Sequence, residues 1–396
     1  MTSEGSAPGL EDATVLQITP SIGRGSFGLG YAAVNLAASL RRAGADVYLG
    51  CVDTEEDVQE ACEQSGLPRE RVIRGDLLWH PRLRFSPSLS RQLRNLSVRN
   101  KVLVHAHGLW TYTSRVAMTV REYYRASLVV SPHGSLAPWA LKLSPRKKAV
   151  ASLLFENKNF STASCLWALS DQEKQSIREY GLSGRVEVIE NGVNRATRRS
   201  EQEIATFRRK HEIADGRRIL LFLSRITPGK GLPLLLRSFA ENLRTVAGWT
   251  LVIAGSDEGN HIEEVRQLID SLDLGPSVRL IGPVFGDNKA LAFSAASLFV
   301  LPSYGEGLPI AVLEAMEYGL PVVLTDTWVL PCPVDKQFGW QVAAEQSAIQ
   351  KALLEAMTAP RSRLDELGAN AQSIVRQNFT WDAVAQKACG LYESLL

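Results

Sequence analysis

The chain has 396 residues, 45% of them hydrophobic and 22% charged, with a formal net charge of +2. That length is too great for one ordinary core and predicts two domains of roughly 190 residues, while the near-neutral average says nothing about partners. Five scattered cysteines, none in a C-x-x-C pair, argue against a disulfide framework or a zinc ribbon, and no apolar run approaches the ~20 residues of a membrane span.

The first thirteen residues, MTSEGSAPGLEDA, lack the basic and apolar regions of a signal peptide. The sequence therefore predicts a cytoplasmic protein, soluble or lying on a membrane surface. VLQIT (15–19) reads as a buried strand, Leu29–Arg42 as a helix ended by Gly44, and DVYLGCV (46–52) as the next strand. Between the first two, Gly23-Arg24-Gly25-Ser26-Phe27-Gly28 fits the G-x-G-x-x-G spacing of a dinucleotide loop, a weak signal by itself. Asp53 falls near where a ribose-binding acid would stand. Spacing alone thus leaves an NAD(P)-dependent oxidoreductase open.

KVLVHAH (101–107), SLVVSPH (127–133) and VEVIENG (186–192) follow, with helical segments between them. Short apolar strands alternating with amphipathic helices indicate parallel βαβ units covered on both faces. Ser170-Asp171-Gln172-Glu173 has capping-box spacing and is read as a helix start only. His105-x-His107 ends a strand, but no carboxylate or cysteine nearby completes a metal set, so no metal is expected. The aromatic faces of Gly108-Leu109-Trp110-Thr111-Tyr112 suit an acceptor sugar.

Charge is uneven along this half. Residues 1–81 carry about six more acids than bases, and residues 82–158 about twelve more bases than acids. Arg82, Arg84, Arg91, Arg94 and Arg99 precede the histidine loop; Trp139, Lys142, Arg146, Lys147 and Lys148 follow His133. Such cations beside Trp and Leu suit the inner membrane surface or a lipid-pyrophosphate acceptor. No aromatic platform or helix-turn-helix accompanies them, so nucleic acid is not an expected partner.

After the polar stretch NRATRRSEQE (194–203) the alternation resumes with RILLFLS (218–224), TLVIAG (250–255), VRLIG (278–282), LFVLP (298–302) and PVVLT (321–325). The last segment, WDAVAQKACGLYESLL (381–396), is an amphipathic helix. Open parallel sheets bind ligands beyond the carboxyl ends of their strands, so the chemistry belongs where the strands stop. In LFVLPSYGEGLPIAVLEAMEYGLPVVLTD (298–326) a glycine-rich turn carrying Glu306 leads into a helix, with Pro309 expected as its first residue. Free N–H groups around Gly307, Leu308 and Ile310 would receive a phosphate there. Glu314, among apolar neighbours, needs partners, and a ribose diol supplies two donors. Arg225 and Lys230 in FLSRITPGKGLPLLL (222–236) suit a diphosphate, the first with planar donors and the second as a point charge.

In their order and spacing, Glu306-x7-Glu314, the Arg225…Lys230 pair and the VEVIENGVN turn resemble the large retaining glycosyltransferase family 4, and the basic first domain with its HGSLAPWALK stretch resembles members that build bacterial surface polysaccharides. The resemblance covers nearly the whole chain. It implies an α/β chain of the GT-B fold, with two Rossmann-like doubly wound parallel-sheet domains facing across a deep cleft. The acceptor domain would span 1–195, with 380–396 crossing back onto it, and the nucleotide-sugar donor domain 196–379. The implied activity is metal-independent sugar transfer, with retention, from a nucleotide diphosphate sugar to a hydroxyl of a glycan or lipid-linked glycan, without a cofactor. Arg225 and Lys230 would hold the diphosphate and Glu314 the ribose. Glu306 would approach the transferred sugar, Val284 and Phe285 would border the base, and His133 would lie beside the donor sugar. The glycine loop, with Gly25 and Gly28, would let backbone approach phosphate and acceptor. A GT-B nucleotide-sugar epimerase is the other reading that shares this architecture.

Overall fold

Parallel strands in two sheets, each flanked by helices, frame the computed structural model, which describes residues 10–23, 26–78, 83–305, 309–327 and 337–396. Residues up to Gly192 together with Trp381–Leu396 form the first of two units, and Val193–Thr380 the second. The boundaries lie a few residues from those expected at 195 and 379. Val193 N donates to Phe379 O at 2.8 Å and Val193 pairs with Thr380 in a parallel bridge, which ties both to the second unit.

The first sheet comprises β1 (Ala13–Ile18), β2 (Asp46–Cys51), β3 (Val72–Arg74), β4 (Lys101–His107), β5 (Ser127–Ser131), β6 (Cys165–Ala168) and β7 (Val186–Val188). Their spatial order is β3-β2-β1-β4-β5-β6-β7, all parallel. Successive side chains of a strand point to opposite faces, so β1 feeds two cores. Val15 joins Val47, Leu103 and Trp167 under the helices Phe27–Arg42 and Trp381–Glu393. Leu16 and Ile18 join Val104, Val120 and Val130 on the other side. The terminal helix buries Trp381, Val384, Ala388, Leu391 and Tyr392 against the first of these cores.

The second sheet comprises β8 (Arg218–Leu223), β9 (Trp249–Ala254), β10 (Val278–Gly282), β11 (Leu298–Leu301), β12 (Val322–Thr325) and β13 (Gly339–Val342). Its order is β10-β9-β8-β11-β12-β13, again all parallel. Both units are thus Rossmann-like. Chain order reverses between β1 and β4 in one sheet and between β8 and β11 in the other, which makes the loops leaving those four strands the natural ligand sites.

Candidate active site

In the first unit the loop leaving β1 is fastened to the end of β2. Asp53 accepts from Ser21 Oγ and from Ile22 N, each at 2.6 Å, and Arg84 stands 3.2 Å away. Burial pushes the Asp53 carboxyl up, against the pull of Ser21, Ile22 and Arg84. Both oxygens are committed to the protein's own backbone and side chains, so the oxidoreductase reading loses the ribose acid it requires. Gly30 has a different purpose from a dinucleotide fingerprint: a Cβ there would sit 2.0 Å from Ser26 Oγ and 2.5 Å from Ser21 O. Glycine lets the helix press against its own entry loop. Gly28 lies exposed in the first turn of that helix, and Gly25 falls outside the described residues.

Across the switch point, β4 ends in two buried histidines on one face. His105 is bonded on both sides, Nδ1 to Tyr392 Oη and Nε2 to Ser131 Oγ, each at 2.7 Å. His107 Nδ1 lies 3.1 Å from His133 Nε2. Burial holds all three imidazoles below their ordinary range, His133 at about 4, so each is neutral at pH 7. His107 Nε2 is buried without a partner among the described residues. A proton on His107 Nδ1 leaves only a lone pair unsatisfied there, which costs less than an orphaned N–H. His133 then accepts at Nε2 and carries its own proton on Nδ1. Among the described residues no three His, Cys, Asp or Glu side chains converge as a metal set.

Two of the strand exits adopt left-handed backbone, at Trp110 (φ 68°) and His133 (φ 50°). Such conformations persist where their surroundings over-determine them. Each has a buried carboxylate on an adjacent amide. Glu156, fully buried, accepts from Trp110 N at 2.6 Å. Glu173 accepts from Gly134 N at 2.6 Å and from Leu169 N at 2.7 Å. Burial raises both carboxyls, and these hydrogen bonds lower them. Ser170 does cap its helix, accepting from Glu173 N at 3.2 Å. Reading Glu173 as a helix start only is corrected, since its carboxylate fixes the turn after His133.

In the second unit the cations leave β8. Arg225 donates to Glu258 at 2.8 Å, brought near by the Ile226–Asp257 bridge between the ends of β8 and β9. The Pro228–Lys230 turn is latched to the exit of β11, with Tyr304 N donating to Gly229 O at 2.9 Å. Gly231 has φ 70°, and a Cβ there would fall 2.0 Å from Pro302 O. Thr325 and Thr327 hold the same exit by donating to Ser303 O at 2.6 and 3.1 Å. The turn bearing Lys230 and the strand leading toward Glu306 are therefore joined at the switch point.

The helix that follows β11 begins at Ile310, and Pro309 is its N-cap rather than its first residue, because Val312 N already bonds Pro309 O at 2.9 Å. Glu306, Gly307 and Leu308 fall outside the described residues. Glu314 has the partner its apolar setting demanded, but within the protein: Lys289 Nζ donates to it at 2.6 Å. Lys289 lies on the helix Gly286–Ala295, just beyond half-buried Val284 and exposed Phe285, so Glu314 and the segment expected to border the base are joined by that bond. Sequence reasoning missed Lys289, Glu156 and the second task of Glu173.

Residues 203–373 match the family model described as glycosyl transferases group 1, and residues 27–192 that of the glycosyl transferase 4-like domain. The D-inositol 3-phosphate glycosyltransferase of Nocardia farcinica is 29% identical over 302 residues, covering 74% of this chain and 65% of that protein. Its counterpart in Nocardioides sp. is 29% identical over 308 residues, 73% of this chain and 66% of that protein. The matched stretch is thus just under two thirds of these relatives' length. Among solved structures, Anabaena HepE in complex with UDP and glucose has a TM-score of 0.75 at 20% identity, over 96% of this chain and 100% of that one. Sucrose-phosphate synthase from Thermosynechococcus elongatus has a TM-score of 0.71 at 19% identity, over 96% and 99%. These two likenesses concern the fold.

Proposed function

Because the chain belongs to the group 1 glycosyltransferases, with a glycosyltransferase 4-like domain and the GT-B fold, we propose that it moves a sugar, with retention, from a nucleotide diphosphate sugar to a hydroxyl of a glycan or lipid-linked glycan. The observation that carries this reading is the latch between the Lys230 turn and the β11 exit, with Arg225 leaving the adjacent strand. As the bond from the anomeric carbon to the β-phosphate oxygen breaks, negative charge builds on the diphosphate. Arg225 and Lys230 meet it there, a preorganised arrangement of the kind that supplies much of an enzyme's acceleration. The acceptor hydroxyl attacks from the face the diphosphate leaves, and its proton passes to the departing phosphate oxygen. Retention then needs no protein nucleophile and no metal.

Glu314 exchanges Lys289 for the ribose hydroxyls in this reading. Val284 and Phe285 border the base, and Glu306, assigned from the sequence, approaches the transferred sugar. His133, neutral and carrying its proton on Nδ1, donates to that sugar. The basic excess of residues 82–158 suits an acceptor bearing phosphate. HepE, a neighbour in fold, was solved with UDP and with UDP-glucose, which makes UDP the first nucleotide to test.

The experiment is a thermal-shift panel with UDP, GDP, ADP, NAD and NADP, followed by acceptor-dependent release of the nucleoside diphosphate. A ligand at a hundred times its dissociation constant adds ~2.7 kcal/mol to what it binds, enough for a shift of a few degrees. One nucleoside diphosphate is expected to stabilise the protein, and Arg225→Ala to abolish that shift. Stabilisation by NAD or NADP alone would overturn the reading. Release of free sugar without an acceptor would make it an epimerase, and full activity of Glu314→Ala would remove Glu314 from the site.

A further inference from the structure

The stretch that follows His133 folds as short helices, Pro138–Leu141 and Pro145–Ala151, a π-helical turn Ser152–Glu156, and a last helix Asn157–Thr162. Its inner side is anchored: Ala151 and Phe155 pack on Met118 and against Trp110. The outer side is apolar as well. Leu143 is 60% exposed, Val150 58%, Leu153 82% and Leu154 65%. Four large aliphatic side chains held out within twelve residues form the kind of patch a soluble surface rarely keeps without a partner. The wider π turn directs consecutive Leu153 and Leu154 outward while Phe155 and Glu156 turn in.

The charges beside this patch identify what it fits. Lys142, Arg146 and Lys147 are all exposed. Lys158 by contrast is paired with Glu122, and the half-buried Lys148 donates to Ala140 O and lies 5.9 Å from the centre of the Trp110 ring. The only acid between 138 and 158 is Glu156, which is buried on Trp110 N. Aliphatic tips rimmed by cations without an acid partner among the described residues are the chemistry of an interfacial segment. A second copy would bring the same cations face to face across a two-fold axis, which disfavours it.

We propose that Leu143, Val150, Leu153 and Leu154 seat in the headgroup boundary of an anionic bilayer while Lys142, Arg146 and Lys147 pair with lipid phosphates. The chain then works as a peripheral membrane protein docked through its first unit. This turn also carries Glu156, so the docked face is one hydrogen bond from the loop after β4. The docking stands without the transfer reading; only the arrival of a lipid-linked acceptor at that loop rests on it.

The test is co-sedimentation of the full chain with vesicles of phosphatidylcholine alone, and of phosphatidylcholine and phosphatidylglycerol in equal parts. Binding is expected to the second and not the first, and to fall as salt is raised. Leu153→Asp with Leu154→Asp should abolish it. Neutralising Lys142, Arg146 and Lys147 to Gln should weaken it on the order of a hundredfold, about fivefold for each near-surface cation. Unfolding temperature serves as the control for folding, and these exposed substitutions should leave it unchanged. Absent binding to anionic vesicles, or equal binding by the aspartate variant, would overturn the proposal. So would a concentration-dependent dimer of the wild type that the aspartate variant cannot form, since the patch would then belong to a second copy. Vesicle binding without any nucleotide shift would sink the transfer reading and leave the docking intact.

Discussion

The two units position their functional loops by opposite means. In the first, buried carboxylates grip backbone amides beside left-handed residues, and three neutral histidines link the ends of β4 and β5. In the second, charges sit in ion pairs, half-exposed Arg225 on Glu258 and Lys289 on the more deeply buried Glu314. The first arrangement is buried and uncharged at its histidines, which suits the hydroxyls of the proposed reaction. The second parks its charges on partners that a ligand can displace, which suits a diphosphate and a ribose. Buried hydrogen bonds to charged acceptors are costly to break, whereas exposed pairs are worth little. Mutation should therefore cost the first unit stability and the second unit chemistry.

The largest effect expected is that of Arg225→Ala. Turnover should fall by about a thousandfold, as for other lost charge-stabilising donors, with the unfolding temperature unchanged because the side chain is exposed on a loop. A comparable loss of stability would break the contrast. Glu173→Ala comes next. It strands Gly134 N and Leu169 N, at a cost of roughly 2–4 kcal/mol, and frees the turn after His133. Calorimetry should register that loss, and turnover should drop about a hundredfold while the nucleotide shift persists. Glu173→Gln, which keeps one acceptor, should recover part of both.

A pH series sharpens the comparison further. An unfolded histidine takes up its proton near pH ~6.5, whereas folded His133 does so only at about 4. The unfolded state therefore binds more protons in that window, and stability falls as pH drops through it. His133 alone should account for roughly 2 kcal/mol, less than the full displacement implies because the ring is only half-buried. Glu156 and Glu173 act in the opposite sense, since burial raises their carboxyls and their folded forms hold protons the unfolded ones release. The component that His133→Asn removes from the unfolding-versus-pH curve isolates the histidine. Glu258→Gln should do least: freed from its partner, Arg225 should bind nucleoside diphosphate more tightly by about 0.5 kcal/mol at low salt, a gain that vanishes as salt is raised. Titration calorimetry at two ionic strengths reads it.

The long apolar strands of both sheets were legible because buried parallel strands are continuous hydrophobic runs. Three strands were not: β3 is three residues long, β6 is only CLWA ahead of a helix start, and β13 is a partly exposed edge. Arg225, Lys230 and Glu314 were legible as residue types at strand ends and on the following helix. What each touches was not. Glu156 acts on an amide 46 positions away through a π turn that no periodicity announces. Glu173 was legible and misjudged, because S-x-x-E spacing describes a helix start and is silent about a carboxylate that turns toward another loop. Lys289 stands in the first turn of its helix, where nothing in the sequence marks it. Its pairing with Glu314 depends on the tertiary placement of two helices.

The terminal helix bears on how the chain matures during synthesis. His105 bonds Tyr392 across 287 positions, and Ser127 Oγ bonds Leu395 O across 268. Domains usually fold in the order in which they emerge from the ribosome. Here the second unit is complete by Thr380, whereas the first needs Trp381, Val384, Leu391 and Tyr392 from the last residues made to complete its core. Until those residues are made, one face of the older unit stays uncovered and His105 has no phenol to bond. A released chain truncated after Thr380 should therefore carry a protease-resistant second unit and a first unit that chaperones still recognise.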